Sequence, residues 1–315
     1  MSVEMQSYAA SQRSDADEIV VALVNNMPDK ALEATETQFF TLLQAAAGEL
    51  PVRLRFAYLP EVVRSSSAME RLERLYSPID ELVQGRVDAL IVTGTEPKAA
   101  QLSAEPYWQR LQALLAWADQ NTASSIWSCL AAHAAVEHLD GVRRRRLEHK
   151  LCGVYEHTCD GDHFLLDGVV TPLCTPHSRW NDLPRDALRA AGYSIVSGSS
   201  ETGANMFVKQ NRSVLVFFQG HPEYTENTLL KEYRRDVERF MRGCQPDYPT
   251  LPCGYFTAEE IAVLAEFRQR ALSTTQATSL SEFPIDMMVT RRPMGWRDSA
   301  ITIFANWLSF VAAHA

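Results

Sequence analysis

The sequence predicts an α/β protein with a mostly parallel sheet flanked by helices. Two observations carry this expectation. Short β-rich runs recur at Ile19 to Val24, which is continuously apolar, at Val87 to Gly94 and at Ser124 to Ser128, the pattern of strands buried on both faces. Helix-forming sequence separates them, so strand and helix alternate through the first 140 residues, which implies right-handed crossovers between parallel strands.

The elements follow in order. Met1 to Asp17 is polar, and residues 1–17 are expected to be disordered or extended. Ile19 to Val24 ends at Asn25-Asn26-Met27-Pro28-Asp29, rich in turn formers, and a helix follows over Ala34 to Leu43. Val52, Leu54, Phe56 and Tyr58 alternate with Arg53, Arg55 and Ala57 in a second strand. Ser65 to Gln84 is polar and helix-compatible with little core signal, and reads as a surface excursion or flap. After the strand ending at Gly94, Tyr107 to Asp119 is an amphipathic helix with Trp108, Leu111, Leu114, Leu115 and Ala118 on one face. From Lys150 to Gln219 short strands near Ser194 to Ser197, Ala204 to Lys209 and Ser213 to Phe218 suggest an antiparallel or mixed extension of the sheet. A long helix runs from near Thr225 to about Arg242. Residues 18–248 thus read as one domain, and 249–315 as a helical extension packed on it. In that extension Thr257 and Glu260 form a capping box, and Phe256 and Ile261 a hydrophobic staple.

Composition narrows the function. The net charge of −9 lacks the dense cationic face that nucleic-acid binding needs. No apolar run approaches the roughly 20 residues that span a bilayer, and no signal-peptide core is visible, so a cytoplasmic protein without membrane attachment is expected. The basic run Arg143 to Arg146 reads as a solvated loop after a helix, or as a local anchor for a phosphorylated cofactor. Six cysteines without any C-x-x-C suggest neither a disulfide framework nor a metal site, and the spacing of Cys152, His157 and Cys159 fits no common zinc motif.

The chemistry concentrates where the third buried run meets a helix. Ser124-Ser125-Ile126-Trp127-Ser128-Cys129-Leu130-Ala131-Ala132-His133 passes from strand to helix with no intervening Gly or Pro. A tight turn there lifts Cys129 beside a helix N-terminus, whose free N–H groups favour a thiolate and can hold an oxyanion. The Leu130 amide is the first such donor. A free cysteine is more commonly a buried structural residue, and the small residues usual on either side of such a nucleophile are here Trp127 and Ala131. Gly220-His221-Pro222-Glu223 closes another buried run, Val214 to Phe218. If strand alternation continues there, His221 and Glu223 share a face, so that the carboxylate orients an imidazole facing Cys129. Gly94-Thr95-Glu96-Pro97-Lys98, at the carboxyl end of a parallel strand, is a candidate for substrate or oxyanion contacts.

These pieces resemble a known family. Asn26-Met27-Pro28, Leu90 to Gly94, Cys129 before an alanine-rich helix, Lys150 to His157, Pro176-His177-Ser178-Arg179, Gly220 to Tyr224, Arg235-Asp236-Val237, Trp296-Arg297 and Asn306-Trp307-Leu308 occur in that order. The pattern is similar to the cysteine-dependent homoserine O-succinyltransferases and O-acetyltransferases, built on a flavodoxin-like, class I glutamine amidotransferase-like fold. The resemblance implies a ping-pong enzyme of methionine and sulfur amino-acid biosynthesis. Cys129 would accept a succinyl group from succinyl-CoA, and His221, oriented by Glu223, would activate the hydroxyl of L-homoserine or a similar amino acid. It also implies Lys150, Ser178 and Arg235 as substrate contacts, acyl-CoA as co-substrate with no bound cofactor, and a homodimer.

Some positions depart from the family pattern. Gly94 is followed by Thr95-Glu96-Pro97-Lys98 rather than Ala-Pro, at the stretch that correlates with the acyl donor. Lys98 there would pair with a succinyl carboxylate, whereas Glu96 in its place would favour acetyl-CoA. The loop after Pro28 and the segment from Tyr58 to Arg86 also differ, which would suit a divergent branch acting on serine or another hydroxy amino acid. A glutamine amidotransferase or cysteine hydrolase on the same fold is the competing activity.

Overall fold

In the computed structural model of the chain, which describes residues 4–5, 18–273, 279–288 and 295–315, the buried runs become the middle of one sheet. Apart from residues 4–5, the expected disordered or extended N-terminus lies outside the described residues. Strand β1 (Glu4–Met5) is followed by β2 (Ile19–Val24), buried at every residue. Val21 and Leu23 enter one apolar layer, and Ala22 and Val24 the other. A strand covered on both faces favours apolar side chains at every position, hence the unbroken apolar run. Helix α1 (Leu32–Ala47) extends past the expected Leu43 because Ala45 to Ala47 are strong helix formers, and it stops at Gly48 with φ 54°.

Strand β3 (Val52–Tyr58) buries Val52, Leu54 and Phe56 and half-exposes Arg53 and Arg55, as alternation predicts. The segment from Ser65 to Gln84 is not a surface excursion. Helix α2 (Ser66–Leu75), capped by the Ser65 hydroxyl, leads to β4 (Ser77–Pro78), which pairs with β3, and to α3 (Ile79–Leu82). Leu72, Tyr76, Ile79 and Leu82 are buried, and the Tyr76 hydroxyl donates to Glu36 at 2.7 Å while accepting from Asn25 at 2.9 Å. Its few apolar anchors are shared among three short elements, too few per element to register as a period.

Strand β5 (Ala89–Val92), helix α4 (Trp108–Asn121), strand β6 (Ser124–Ser128) and helix α5 (Leu130–Asp140) follow. Leu111, Leu114, Leu115 and Ala118 of α4 are buried, while Trp108 is only partly so. The later strands are β7 (Arg145–Cys159), β8 (Leu173–Asp182), β9 (Ser194–Ser199), β10 (Gly203–Gln210) and β11 (Val214–Phe218), with α6 (Arg185–Ala190) between β8 and β9. The order is β1-β3-β2-β5-β6-β11-β10-β9-β7-β8, parallel up to β11 and antiparallel beyond it. Arg145 and Arg146, read as loop, instead open β7 and pair with Asp182 and Asn181 of β8.

Helix α7 (Thr228–Met241) leaves the end of β11, and α8 (Ala258–Leu272) packs on it through Leu264 and Phe267 against Tyr233 and Val237. The Thr257 and Glu260 capping box is present. Of the expected staple pair, Ile261 is 43% exposed, and Phe256 meets Tyr233 and Tyr255 edge to face. Helix α9 (Arg297–His314) sends Phe304, Trp307, Leu308 and Val311 into the layer containing α1, and Trp307 Nε1 donates to Ser124 Oγ at 2.9 Å. Among the described residues no helix is long and apolar enough to cross a membrane.

Candidate active site

Strands β6 and β11 lie side by side in parallel, so their carboxyl ends deliver Cys129 and His221 to the same edge of the sheet. Cys129 caps α5 with φ 50° and ψ −110°, and among the described residues it alone has a positive φ without being glycine. This costs of order 1–3 kcal/mol and persists only where the surroundings enforce it. Here the Cys129 N–H donates to Phe218 O at 2.7 Å and the Cys129 carbonyl accepts from the His133 N–H at 3.2 Å. The amides of the first turn, Leu130 first, have no partner within the helix and are the available oxyanion donors. Trp127 is tolerated because its ring turns into the core, fully buried, with Nε1 donating to Ser125 Oγ at 2.9 Å.

Past β11, the His221 N–H donates to Pro176 O at 2.8 Å, and its Nδ1 lies 2.8 Å from Glu223 Oε1. Strand alternation is not what brings the two side chains together. They sit in a tight turn, closed by the Tyr224 N–H on His221 O at 3.2 Å. The Tyr224 ring stacks on the imidazole, with centroids 4.3 Å apart and planes 16° from parallel. With Nδ1 taken by Glu223, Nε2 is left for the Cys129 sulfur, with which His221 is hydrogen-bonded. Burial disfavours a charged imidazole, but Glu223 and then Cys129 outweigh it and hold the His221 pKa well above the ordinary histidine value.

Beside this pair lies a cluster of charges. Lys150 Nζ is 2.6 Å from Asp236 Oδ2, and Arg235 Nε and Nη2 are each 3.1 Å from Asp236 Oδ1. Burial works against the Lys150 charge, yet Glu232, Cys152 and Asp236 raise its pKa above the ordinary lysine value. Ser178 stands opposite Cys152 across β7 and β8 and hydrogen-bonds to its thiol, which burial pushes up to about 11. The Tyr224 hydroxyl donates to Glu232 at 3.1 Å and joins the cluster to His221. Asp236 and Glu232 escaped the sequence reading, although Asp236 stands inside the Arg235-Asp236-Val237 motif. Lys98 and Glu96 are both exposed, with Glu96 facing Arg239 of α7 at 3.3 Å. The backbone around Lys98 is tied to buried Glu105, whose Oε1 accepts the Lys98 and Ala99 N–H groups at 2.6 Å each. No group of three or more His, Cys, Asp or Glu among the described residues is placed to hold a metal ion.

The family profile described as homoserine O-succinyltransferase matches residues 2–315. The chain belongs to the homoserine O-succinyltransferase family. A homoserine O-succinyltransferase of Rhodopseudomonas palustris is 44% identical over 312 residues, covering 99% of this chain and 94% of that one. Another, from Bradyrhizobium japonicum, is 43% identical over 300 residues, covering 95% and 91%. The crystal structure of a glutamine amido transferase from Methylobacillus flagellatus matches with a TM-score of 0.54 at 15% identity, over 93% of this chain and 95% of that one. That likeness shows the fold, and the class I glutamine amidotransferase-like architecture expected from the motifs holds.

In this homoserine O-succinyltransferase family member, Gly94 is required by close packing. A Cβ on Gly94 would lie 2.4 Å from Leu130 Cβ and 3.1 Å from Ala131 N. Gly94→Ala must therefore displace the first turn of α5. We expect it to destabilise the fold by about 1–3 kcal/mol and to slow any acylation of Cys129 at least tenfold, checked by thermal melts and thiol-acylation rates. A Gly94→Ala protein with unchanged melting and rate would show that the turn adapts freely.

Behind the site lie buried histidines. His133 Nε2 is 3.0 Å from Gln219 Oε1, and His177 Nε2 is 3.2 Å from His157 Nε2. Burial lowers His133 to about 3 and His157 to about 4, and with Arg179 it holds His177 well below the ordinary value. A lowered folded pKa gives stability that is present above the unfolded value, near 6.5, and lost as pH falls below it. His221 has the opposite sign: its raised pKa gives stability that is lost as pH rises above 6.5 through the folded value. The melting temperature is thus expected to peak near pH 6.5 and to fall steeply toward pH 4.5. A flat profile over that interval would mean that these histidines are protonated in the folded protein.

Proposed function

We propose that the protein transfers a succinyl group from succinyl-CoA to the hydroxyl of L-homoserine through an acyl-cysteine, a ping-pong reaction serving methionine biosynthesis. The observation that carries this reading is the hydrogen-bonded chain from Cys129 through His221 to Glu223, set at a helix N-terminus beside the Lys150, Asp236 and Arg235 cluster. The names of the similar proteins support the acceptor and the acyl group.

In the first half-reaction Cys129 passes its proton to His221 Nε2 and its sulfur attacks the thioester carbonyl. The oxyanion is held by first-turn amides of α5, the Leu130 N–H among them. The intermediate collapses by expelling the CoA sulfur, which takes the proton from His221, and leaves the acyl group on Cys129. In the second half-reaction His221 removes the hydroxyl proton of homoserine, whose oxygen attacks the acyl carbon. Cys129 leaves as thiolate and recovers the proton from His221. Lys150 and Arg235, with the Ser178 hydroxyl, would hold the amino-acid carboxylate. Their negative partners Asp236 and Glu232 keep both cations fixed before substrate arrives. No resident cofactor enters this scheme, and acyl-CoA is a co-substrate.

Intact-protein mass spectrometry after brief mixing with succinyl-CoA, without acceptor, tests it. One succinyl adduct mapped to Cys129, discharged by homoserine but not by water on the same timescale, is expected. Acetylation in place of succinylation would reassign the donor, discharge by serine alone would reassign the acceptor, and no adduct with either thioester would favour a hydrolase or amidotransferase.

A further inference from the structure

The buried stretch of α5 carries a single polar side chain. Ala131, Ala132, Ala134, Ala135 and Val136 are buried around His133, itself 2% exposed. His133 Nε2 lies 3.0 Å from Gln219 Oε1, and its Nδ1 is sealed from solvent without a hydrogen-bond partner among the described residues. The orientation of the Gln219 amide settles the tautomer. Its Oε1 also accepts the Leu183 N–H at 2.9 Å, while its Nε2 donates to Ala204 O at 2.7 Å and faces Asp182 Oδ1 at 3.4 Å. An amide oxygen can only accept, so His133 Nε2 carries the hydrogen and Nδ1 is a lone pair facing no donor. A half-satisfied buried imidazole is a poor choice for stability alone, and what it does bond calls for a reason.

That bond joins the two halves of the reaction centre. His133 is the residue whose N–H closes the nucleophile's turn on the Cys129 carbonyl, and Gln219 directly follows β11, two positions before His221. The Gln219 end is immobile. Its N–H donates to Asn205 O at 2.8 Å, and a Cβ on neighbouring Gly220 would lie 2.6 Å from both Asn205 Oδ1 and Thr175 Cγ2. The first turn of α5 is the end that can move, because the pairing of β6 with β11 stops at Ser128 and Phe218. The bond from the Cys129 N–H to Phe218 O holds the entrance of that turn, and the His133 side chain holds its exit.

We infer that His133 is a positioning residue: through Gln219 it fixes the first turn of α5, and with it the Cys129 sulfur and the turn's amides, against His221. This rests on the proposed chemistry at Cys129, in which His221 is the base of both half-reactions. His133 touches neither substrate nor reacting atoms and acts only through the geometry of the turn. Without its bond the helix start can shift about the Cys129 N–H contact, and a misplacement of about 1 Å can cost about 100-fold in rate. An apolar side chain in its place would suit the core and leave the turn unguided.

The test compares wild type with His133→Phe, which keeps a flat ring but cannot donate, and with His133→Gln, whose amide nitrogen can donate in place of the imidazole Nε2. Three quantities are measured: thermal melting, the rate of Cys129 alkylation by iodoacetamide at pH 7, and the rate of its acylation by succinyl-CoA. Exposed Cys244 serves as the internal alkylation control. In His133→Phe melting should stay within about 2 °C of wild type or rise, while alkylation of Cys129 slows about tenfold, acylation slows about 10–100-fold and alkylation of Cys244 is unchanged. His133→Gln should recover most of both rates. Unchanged rates at Cys129 in His133→Phe would overturn the inference. So would lower melting with equal or faster alkylation, which would mean that the bond only supports the fold, and so would a His133→Gln protein as slow as His133→Phe. If His133→Phe does not fold, His133→Asn, too short to reach Gln219, is read by the same rates. Wild-type protein whose Cys129 alkylates but accepts no thioester would bring down the proposed transfer, with alkylation still deciding the role of His133; wild-type protein that acylates no faster than His133→Phe would bring down the positioning role alone.

Discussion

Cys129→Ser is expected to lower kcat/KM for acyl transfer by about 10⁴-fold or more while leaving the fold in place, because it removes the proposed nucleophile from a site whose other parts act through it. The substitution changes one atom at a position held by the 2.7 Å bond from its N–H to Phe218 O, so melting should shift by no more than about 2 °C. The acyl adduct should vanish in the same protein. A serine hydroxyl is far less acidic than a thiol, and at neutral pH even the raised His221 is too weak a base to generate much alkoxide. Activity within tenfold of wild type, or an adduct on Cys152, Cys159 or Cys174, would remove Cys129 from the mechanism.

Glu223→Gln has the next largest expected effect, a loss in kcat of about 10²–10⁴-fold. Glu223 is buried and its Oε1 is 2.8 Å from His221 Nδ1. It is the foremost of the interactions that raise the His221 pKa against burial. With the carboxylate neutralised, burial is opposed by Cys129 alone, so the His221 pKa falls. The imidazole then loses its preference for the tautomer with hydrogen on Nδ1, since an amide can present either oxygen or N–H to that nitrogen. Two readings of one pH–rate series check this: a lower plateau, and a His221-dependent limb displaced toward acid. A reduced plateau with an unmoved limb would mean that Glu223 only supports the turn, and an unchanged profile would mean that it has no part in the chemistry.

Much of the site was legible because its parts are local. Cys129 announces itself as the junction between a buried run and helix-forming sequence, and His221 and Glu223 as the polar end of another buried run. Their pairing is nevertheless achieved by a tight turn, since extended geometry ends at Phe218. The antiparallel half of the sheet was only partly legible. Strand β7 is long but mostly exposed or half-buried, with charged residues at many positions, and β8, though mostly buried, is buried largely through polar side chains, so neither alternation nor an apolar run marks them. Ser65 to Gln84 was misread for a related reason, its anchors being divided among short elements.

What the sequence determined alone is the parallel core, the turn at Cys129 and the family, because buried strands, helix starts and contiguous motifs are written in neighbouring residues. Tertiary structure decided the rest. Asp236 binds Lys150 from 86 positions away, and Trp127 is harmless because the layer beneath the sheet has room for its ring. Each of these depends on which distant surfaces meet when the sheet closes. Periodicity records the face a side chain takes, whereas its neighbour across that face is set by packing.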